Sequence, residues 1–139
     1  MTIYLDLGNV SDEVGTPDFF HAFFSTVSGN LEPAGWGTRF PVLLRELYKG
    51  ELDKARAGQA RMELTQIQTE MRRLAPDGVI WDVEDRSKRP PWGNDISSDI
   101  TDLSNYFVTS TGRDLIEVIG ECLDELQSGS NRTLRVVSM

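Results

Sequence analysis

Acids are the residues most able to do chemistry in this chain, and the densest set lies near its C-terminus. Asp114, Glu117, Glu121, Asp124 and Glu125 recur at steps of three, four, three and one. At about 100° per residue they share one arc of a helix, and Leu115, Val118, Ile119, Cys122, Leu123 and Leu126 cover the other side. Acids at these spacings repel one another by roughly a few tenths of a kcal/mol per pair. Glu121, Asp124 and Glu125 also approach the negative end of the helix dipole. A stripe that costs helix stability is either a solvated face or a surface kept for a basic partner.

A second acidic set is Asp82, Glu84 and Asp85. Carboxylates two residues apart project to the same side of a strand and suit a hard cation. The calcium-loop pattern of alternating acids, a turn glycine and a closing glutamate is missing, however, and Arg86, Lys88 and Arg89 stand close enough to neutralise the acids. One histidine, His21, and one cysteine, Cys122, do not make the usual zinc sets or a cysteine–histidine nucleophile pair. Gly35-Trp36-Gly37 is too short for a phosphate-binding loop. The expectation is therefore no catalytic residue, no metal and no cofactor. An enzyme of unrecognised type would need a cleft lined by carboxylates such as Asp82, Asp85 and Asp95, with shifted pKa values.

Trp92 is the other residue with binding chemistry. It sits between Pro91 and Gly93 in a polar stretch that also holds Asp95. Tryptophan is over-represented at binding hot spots, and a proline-flanked one has little entropy to lose on binding. The alternative is a lid over the core. Trp81, in an apolar run, reads as core, and Cys122 as a buried small residue on a helix.

The elements that position these residues follow from periodicity. Thr2–Leu7 reads as a strand ended by Gly8-Asn9, with Ser11–Gly15 a loop. Thr16-Pro17-Asp18 starts a helix whose Phe19, Phe20, Phe23, Phe24 and Val27 face the core, with His21 at the edge of that stripe and Gly29 as the stop. Pro33–Gly37 is a loop anchored by Trp36. Pro41 opens a short helix to Tyr48. A longer helix is predicted from Leu52 to Leu74, with Ala60, Leu64, Ile67, Met71 and Leu74 on one face. Val79–Val83 and Tyr106–Thr109 read as strands, separated by a long irregular segment from Glu84 to Asn105. A last helix, Arg113–Gln127, and a last strand, Thr133–Val137, complete an α+β fold, a largely antiparallel sheet packed with about four helices in a single domain, 1–139.

Composition narrows the class. A chain of 139 residues with 39% hydrophobic and 26% charged residues can bury one core. No apolar run is long enough to span a bilayer, and Met1–Asp6 does not read as a secretory signal, so no membrane partner is expected. A lone cysteine fits a reducing, cytoplasmic setting. The net charge of −8, from 14 basic and 22 acidic residues, opposes direct binding of nucleic acid and suits a basic protein partner. No pattern specifies an oligomeric state.

Three blocks carry a resemblance. The first is Thr38-Arg39-Phe40-Pro41-Val42-Leu43, running into Glu46-Leu47-Tyr48-Lys49-Gly50. The second joins Trp81-Asp82-Val83-Glu84-Asp85 with Pro90-Pro91-Trp92-Gly93 and Ile96-Ser97. The third is Leu103-Ser104-Asn105-Tyr106-Phe107-Val108-Thr109-Ser110, followed by Gly112-Arg113-Asp114-Leu115. With the phenylalanine-rich first helix, these resemble the bacterial immunity protein 70 family over nearly the whole chain. The resemblance implies a non-enzymatic protein of polymorphic-toxin or contact-dependent growth inhibition systems. Its partner would be a cognate toxin C-terminal domain, often a nuclease, bound and blocked in the cytosol. The residues add compatibility with a basic toxin, whose encounter an acidic surface would speed. The candidate contacts are Asp82, Glu84, Asp85, Trp92, Asp95, Asp114, Glu117, Glu121, Asp124 and Glu125. The alternative is a structural or regulatory interaction domain with a non-toxin partner.

Overall fold

Alternation builds the first strand. In β1 (Ile3–Asp6), Ile3 and Leu5 are buried while Tyr4 and Asp6 stay partly exposed. The computed structural model, which describes residues 1–139, turns the chain straight back after β1. Leu7 N–H donates to the Val10 carbonyl at 2.9 Å, and Gly8 takes φ +101°. The Asp6 carboxylate accepts from Gly8 N–H at 2.9 Å and from the Ser11 hydroxyl at 3.0 Å. The result is β2 (Ser11–Gly15), where a loop was expected. Only Val14 is fully buried in β2, so apolar alternation could not mark it.

The sheet has four strands in the order β2-β1-β4-β3, all antiparallel. β4 (Thr133–Ser138) lies between β1 and β3 (Glu51–Asp53), setting Val137 opposite Tyr4 and Leu134 opposite Leu52. Residues 51–53 were expected near or within the start of a long helix. Instead Asp53 ends the strand and caps a single 3-10 turn, Lys54–Arg56, by accepting from Ala55 N–H at 2.8 Å. The helix proper, α2 (Ala57–Met71), follows and buries Ala60, Leu64, Ile67 and Met71. Leu74 packs on the core from beyond the helix end.

Helix α1 (Pro17–Leu31) starts as expected, with the Thr16 hydroxyl accepting from Phe19 N–H at 3.1 Å. It does not stop at Gly29. That glycine lies inside the helix, and its missing Cβ makes room for Ile80, whose Cδ1 would stand 2.2 Å from one. Val79–Val83 is not a strand, and α1 engages its backbone instead. The Thr26 hydroxyl donates to the Ile80 carbonyl at 3.1 Å and accepts from Ile80 N–H at 3.0 Å. Asn30 holds the Gly78 carbonyl at 2.9 Å. The backbone of Ile80 is thus satisfied by a side chain of α1 and not by a sheet.

The short helix after Pro41 is a π-helix, Val42–Leu47, with Tyr48 N–H bonded to the Leu43 carbonyl at 3.0 Å. Its first free donors are met from another element. Glu63 of α2, itself 4% exposed, accepts from Val42 N–H at 3.3 Å and Leu43 N–H at 3.0 Å. Burial pushes the Glu63 carboxyl above its ordinary pKa, against the pull of those two N–H groups.

Tyr106–Thr109 is also not a strand. It makes one isolated antiparallel bridge, Val108 with Asp114, where the chain folds back into α3 (Leu115–Ser128). One cluster of 33 buried residues unites the sheet, the helices and Leu103, Tyr106 and Phe107. The architecture is α+β, with the sheet and helices sharing that core. No helix is long and apolar enough to cross a membrane.

Candidate partner-binding surface

The long segment after Trp81 is irregular but closely tied down. Asp82 accepts from Glu84 N–H at 2.9 Å, and Asp85 from Ser87 N–H at 3.1 Å. The Pro90 carbonyl accepts from Gly93 N–H at 2.9 Å, and the Trp92 carbonyl from Asp95 N–H at 3.0 Å. Asn105 accepts from Thr101 N–H at 3.1 Å and Asp102 N–H at 3.2 Å, and its amide donates to the Asp99 carbonyl at 3.1 Å. Leu103 N–H donates to the Leu74 carbonyl at 2.9 Å and sinks its side chain into the core. Successive turns, some closed by side chains and some by the backbone, therefore replace secondary structure.

Trp92 is held by this frame. Its indole N–H donates to the Tyr106 hydroxyl at 2.9 Å, and its ring meets Trp81 edge to face at 5.4 Å and 87°. It still leaves 38% of its surface exposed. Beside it runs an open groove of about 410 Å³, walled by Phe19, Ile96, Ile100, Tyr106 and Val108, with Asp95 among its lining residues. Trp92 is thus a partial lid and an exposed ring at once.

The acidic arc of α3 takes shape as the periodicity predicts: Glu117, Glu121, Asp124 and Glu125 are exposed. Its charge is partly met from within. Arg113 pairs with Glu121 and stands 3.9 Å from Asp12. Arg61 of α2 reaches Asp124 at 3.1 Å by lying across Gly120, where a Cβ would stand 2.9 Å from its Nη1. Glu117 and Glu125 have no ion-pair partner.

Asp114 is the N-cap of α3, accepting from Ile116 N–H at 3.1 Å. Burial, reinforced by Glu117 and Asp102, pushes its pKa up to about 6. Ionised Asp114 therefore destabilises the fold above pH 6. Between its unfolded pKa of about 4 and about 6, the native state holds a proton that the unfolded state has lost, so stability rises as pH falls through that window. Asp114→Asn keeps a cap acceptor without the charge. It is expected to raise stability by roughly 1–2 kcal/mol at pH 7.5, after discounting for partial exposure, and to lose that advantage near pH 4. Urea unfolding at both pH values checks this; an equal gain at both would assign the effect to the cap and not to the charge.

Asp82 belongs elsewhere. One of its oxygens is 3.3 Å from His21 Nε2 and the other 3.5 Å from Lys88 Nζ. His21 Nδ1 in turn is 2.6 Å from the Tyr48 hydroxyl, under the ring of Trp36 at 6.0 Å. The Glu84 N–H, and then His21, hold the Asp82 carboxyl below the usual range, while burial raises the Tyr48 hydroxyl. This Asp82–His21–Tyr48 chain clasps the start of the long segment to α1 and the π-helix. Glu84, Asp85 and Asp95 are exposed, and Asp85 is engaged with Ser87.

The model of one family, described as immunity protein 70, matches residues 5–135. The chain belongs to the immunity protein 70 family. No curated protein and no solved structure matches it. The match to immunity protein 70 takes in the Trp92 groove, the α3 arc and the His21 clasp together.

The structure joins two of the candidate sets and separates the third. The Trp92 groove ends at Val108, which is bridged to Asp114 at the head of the acidic arc. Asp82 is drawn away into the His21 clasp. Sequence reasoning missed Phe19, Ile96, Ile100 and Val108 as groove walls, because each is one apolar residue in a different local context. It placed His21 at the edge of the phenylalanine stripe, where it is, but nothing local pointed to Tyr48 or Asp82 as its partners.

Proposed function

We propose that this chain is an immunity protein that binds and neutralises a cognate bacterial toxin domain by direct protein–protein contact in the cytoplasm. The family match over residues 5–135 carries the reading. The net charge of −8 and the exposed acids of α3 support a basic toxin, a nuclease being the partner chemistry that best fits such a surface. The contact residues proposed are Glu84, Asp85, Trp92 and Asp95 on the long segment, with Asp82 holding that segment's start through the His21 clasp, and Asp114, Glu117, Glu121, Asp124 and Glu125 on α3. No residue is assigned a catalytic role. Calorimetric titration with the toxin domain encoded beside this chain tests the reading. Saturable binding with loss of toxin activity is expected; no binding at micromolar concentration would overturn it.

The α3 arc should act mainly on the rate of encounter. Reversing Glu117 and Glu125 to lysine removes two unpaired acids without breaking an ion pair. Association is expected to slow about tenfold at low salt and to lose much of its salt dependence, with dissociation little changed. Stopped-flow association at two ionic strengths reads this. Unchanged rates would move the steering surface off α3.

A further inference from the structure

The groove beside Trp92 differs from the α3 arc in both chemistry and electrostatics. Its walls are apolar: Phe19, Ile96, Ile100, Tyr106 and Val108 line it together with Trp92. Two of these stay unusually open, Trp92 at 38% and Val108 at 44% exposure. Trp92 is nevertheless immobilised, its N–H bonded to Tyr106 and its ring set against Trp81. An exposed aromatic that is already fixed loses little entropy when covered.

The charge on the segment that forms most of its wall has one sign, with Arg89 beyond Ile96 and Tyr106 on the far side. From Trp92 to Thr111 the chain carries Asp95, Asp99 and Asp102 and no lysine, arginine or histidine. Asp102 is engaged with Ser104, but Asp95 and Asp99 are exposed and enter no ion pair. The acids of α3, by contrast, are partly answered by Arg61 and Arg113. The groove is continuous with that arc through the Val108–Asp114 bridge.

We propose that this groove is the anchoring pocket for the toxin, taking one large apolar side chain from a segment flanked by lysine or arginine. The inference rests on the reading of the chain as a toxin-binding immunity protein. The apolar side chain covers Trp92 and Val108, and the flanking cations meet Asp95 and Asp99. A second copy of this chain is a poor occupant, because it would bring a net charge of −8 against those same acids. The groove and the arc then divide the work, with the arc steering encounter and the groove setting residence time.

The test uses the full chain and the purified toxin domain encoded beside it. Three variants are compared: Trp92→Ala, Val108→Lys and Asp95→Lys. The last two alter exposed side chains and leave the core intact, so they report on the surface even if Trp92→Ala loosens the segment. Each is expected to weaken binding about tenfold or more, Trp92→Ala and Val108→Lys mainly through faster dissociation and Asp95→Lys through slower association as well, while urea unfolding of Val108→Lys and Asp95→Lys stays near wild type. In a 15N spectrum of the wild type, the Trp92 indole N–H, identified by its loss in Trp92→Phe, should shift on adding toxin. Wild-type binding with variant affinities unchanged and an unmoved Trp92 resonance would overturn the groove and leave the function standing. A wild-type chain that does not bind the toxin domain would overturn both. Concentration-dependent self-association that Val108→Lys abolishes would assign the groove to a second copy and also overturn the proposal.

Discussion

Glu32→Ala is expected to lower the unfolding free energy by about 3 kcal/mol or more. Glu32 is 3% exposed and caps no helix start, yet its carboxylate organises the loop that leaves α1. One oxygen accepts from Gly37 N–H at 2.9 Å, and the other from Arg39 N–H at 3.0 Å and Phe40 N–H at 2.9 Å. Truncation leaves three donors without an acceptor, and Gly37 and Phe40 are buried residues. Each buried, unmet donor costs about 1–3 kcal/mol, so the loss exceeds that of an ordinary surface substitution several-fold. Glu32→Gln keeps one oxygen but aims an amide N–H at a donor, and should recover only part of the loss. Midpoints of urea unfolding measure both variants. A loss under about 1 kcal/mol for Glu32→Ala would mean that water replaces the carboxylate in the loop.

Phe107→Ala is the second large effect, at about 3–5 kcal/mol. Phe107 is 1% exposed and forms the hub between groove and core. Its ring meets Phe23 at 5.3 Å and 86°, and Tyr106 at 5.0 Å and 68°, with Phe19 at 5.8 Å. Phe19 and Tyr106 are groove walls, so the variant should also weaken toxin binding under conditions where it is still folded. Thermal unfolding reads the first effect, and titration of the folded variant reads the second. Lost stability with full affinity would show that the groove tolerates a softened floor, and would weigh against the pocket as the anchor. A conservative Phe107→Leu should cost far less in both measurements.

The buried faces of the α-helices are legible in the sequence. The Thr16-Pro17-Asp18 start, the phenylalanine face of α1, the Ala60–Met71 face of α2 and the α3 arc all stand where the spacing puts them. Each of the three faces is a relation between residues three or four apart, which helical geometry converts directly into one side of a helix. The mismatches have local causes. Gly29 reads as a stop because glycine is a poor helix former, but here its missing Cβ is what Ile80 needs. Val79–Val83 has strand composition, but Thr26 satisfies the backbone of Ile80. β2 is polar on both faces except at Val14, so nothing in its alternation announces an edge strand.

The candidate site divides along the same line. The acids of α3 follow from one segment, whereas the sequence left Trp92 open between a binding residue and a lid, and the structure makes it partly both. The pairing of Arg61 with Asp124, the His21 clasp and the groove that sets Phe19 beside residues 92–108 join segments far apart in the chain. The sequence by itself therefore determined the acidic, α+β character of this immunity protein 70 member and the helix face that carries its charge. Only the tertiary structure decided which acids stay unpaired and that Trp92 stands at the edge of an apolar groove. Helical periodicity is a property of neighbours, whereas a groove wall or an ion pair depends on which distant segments the core brings together.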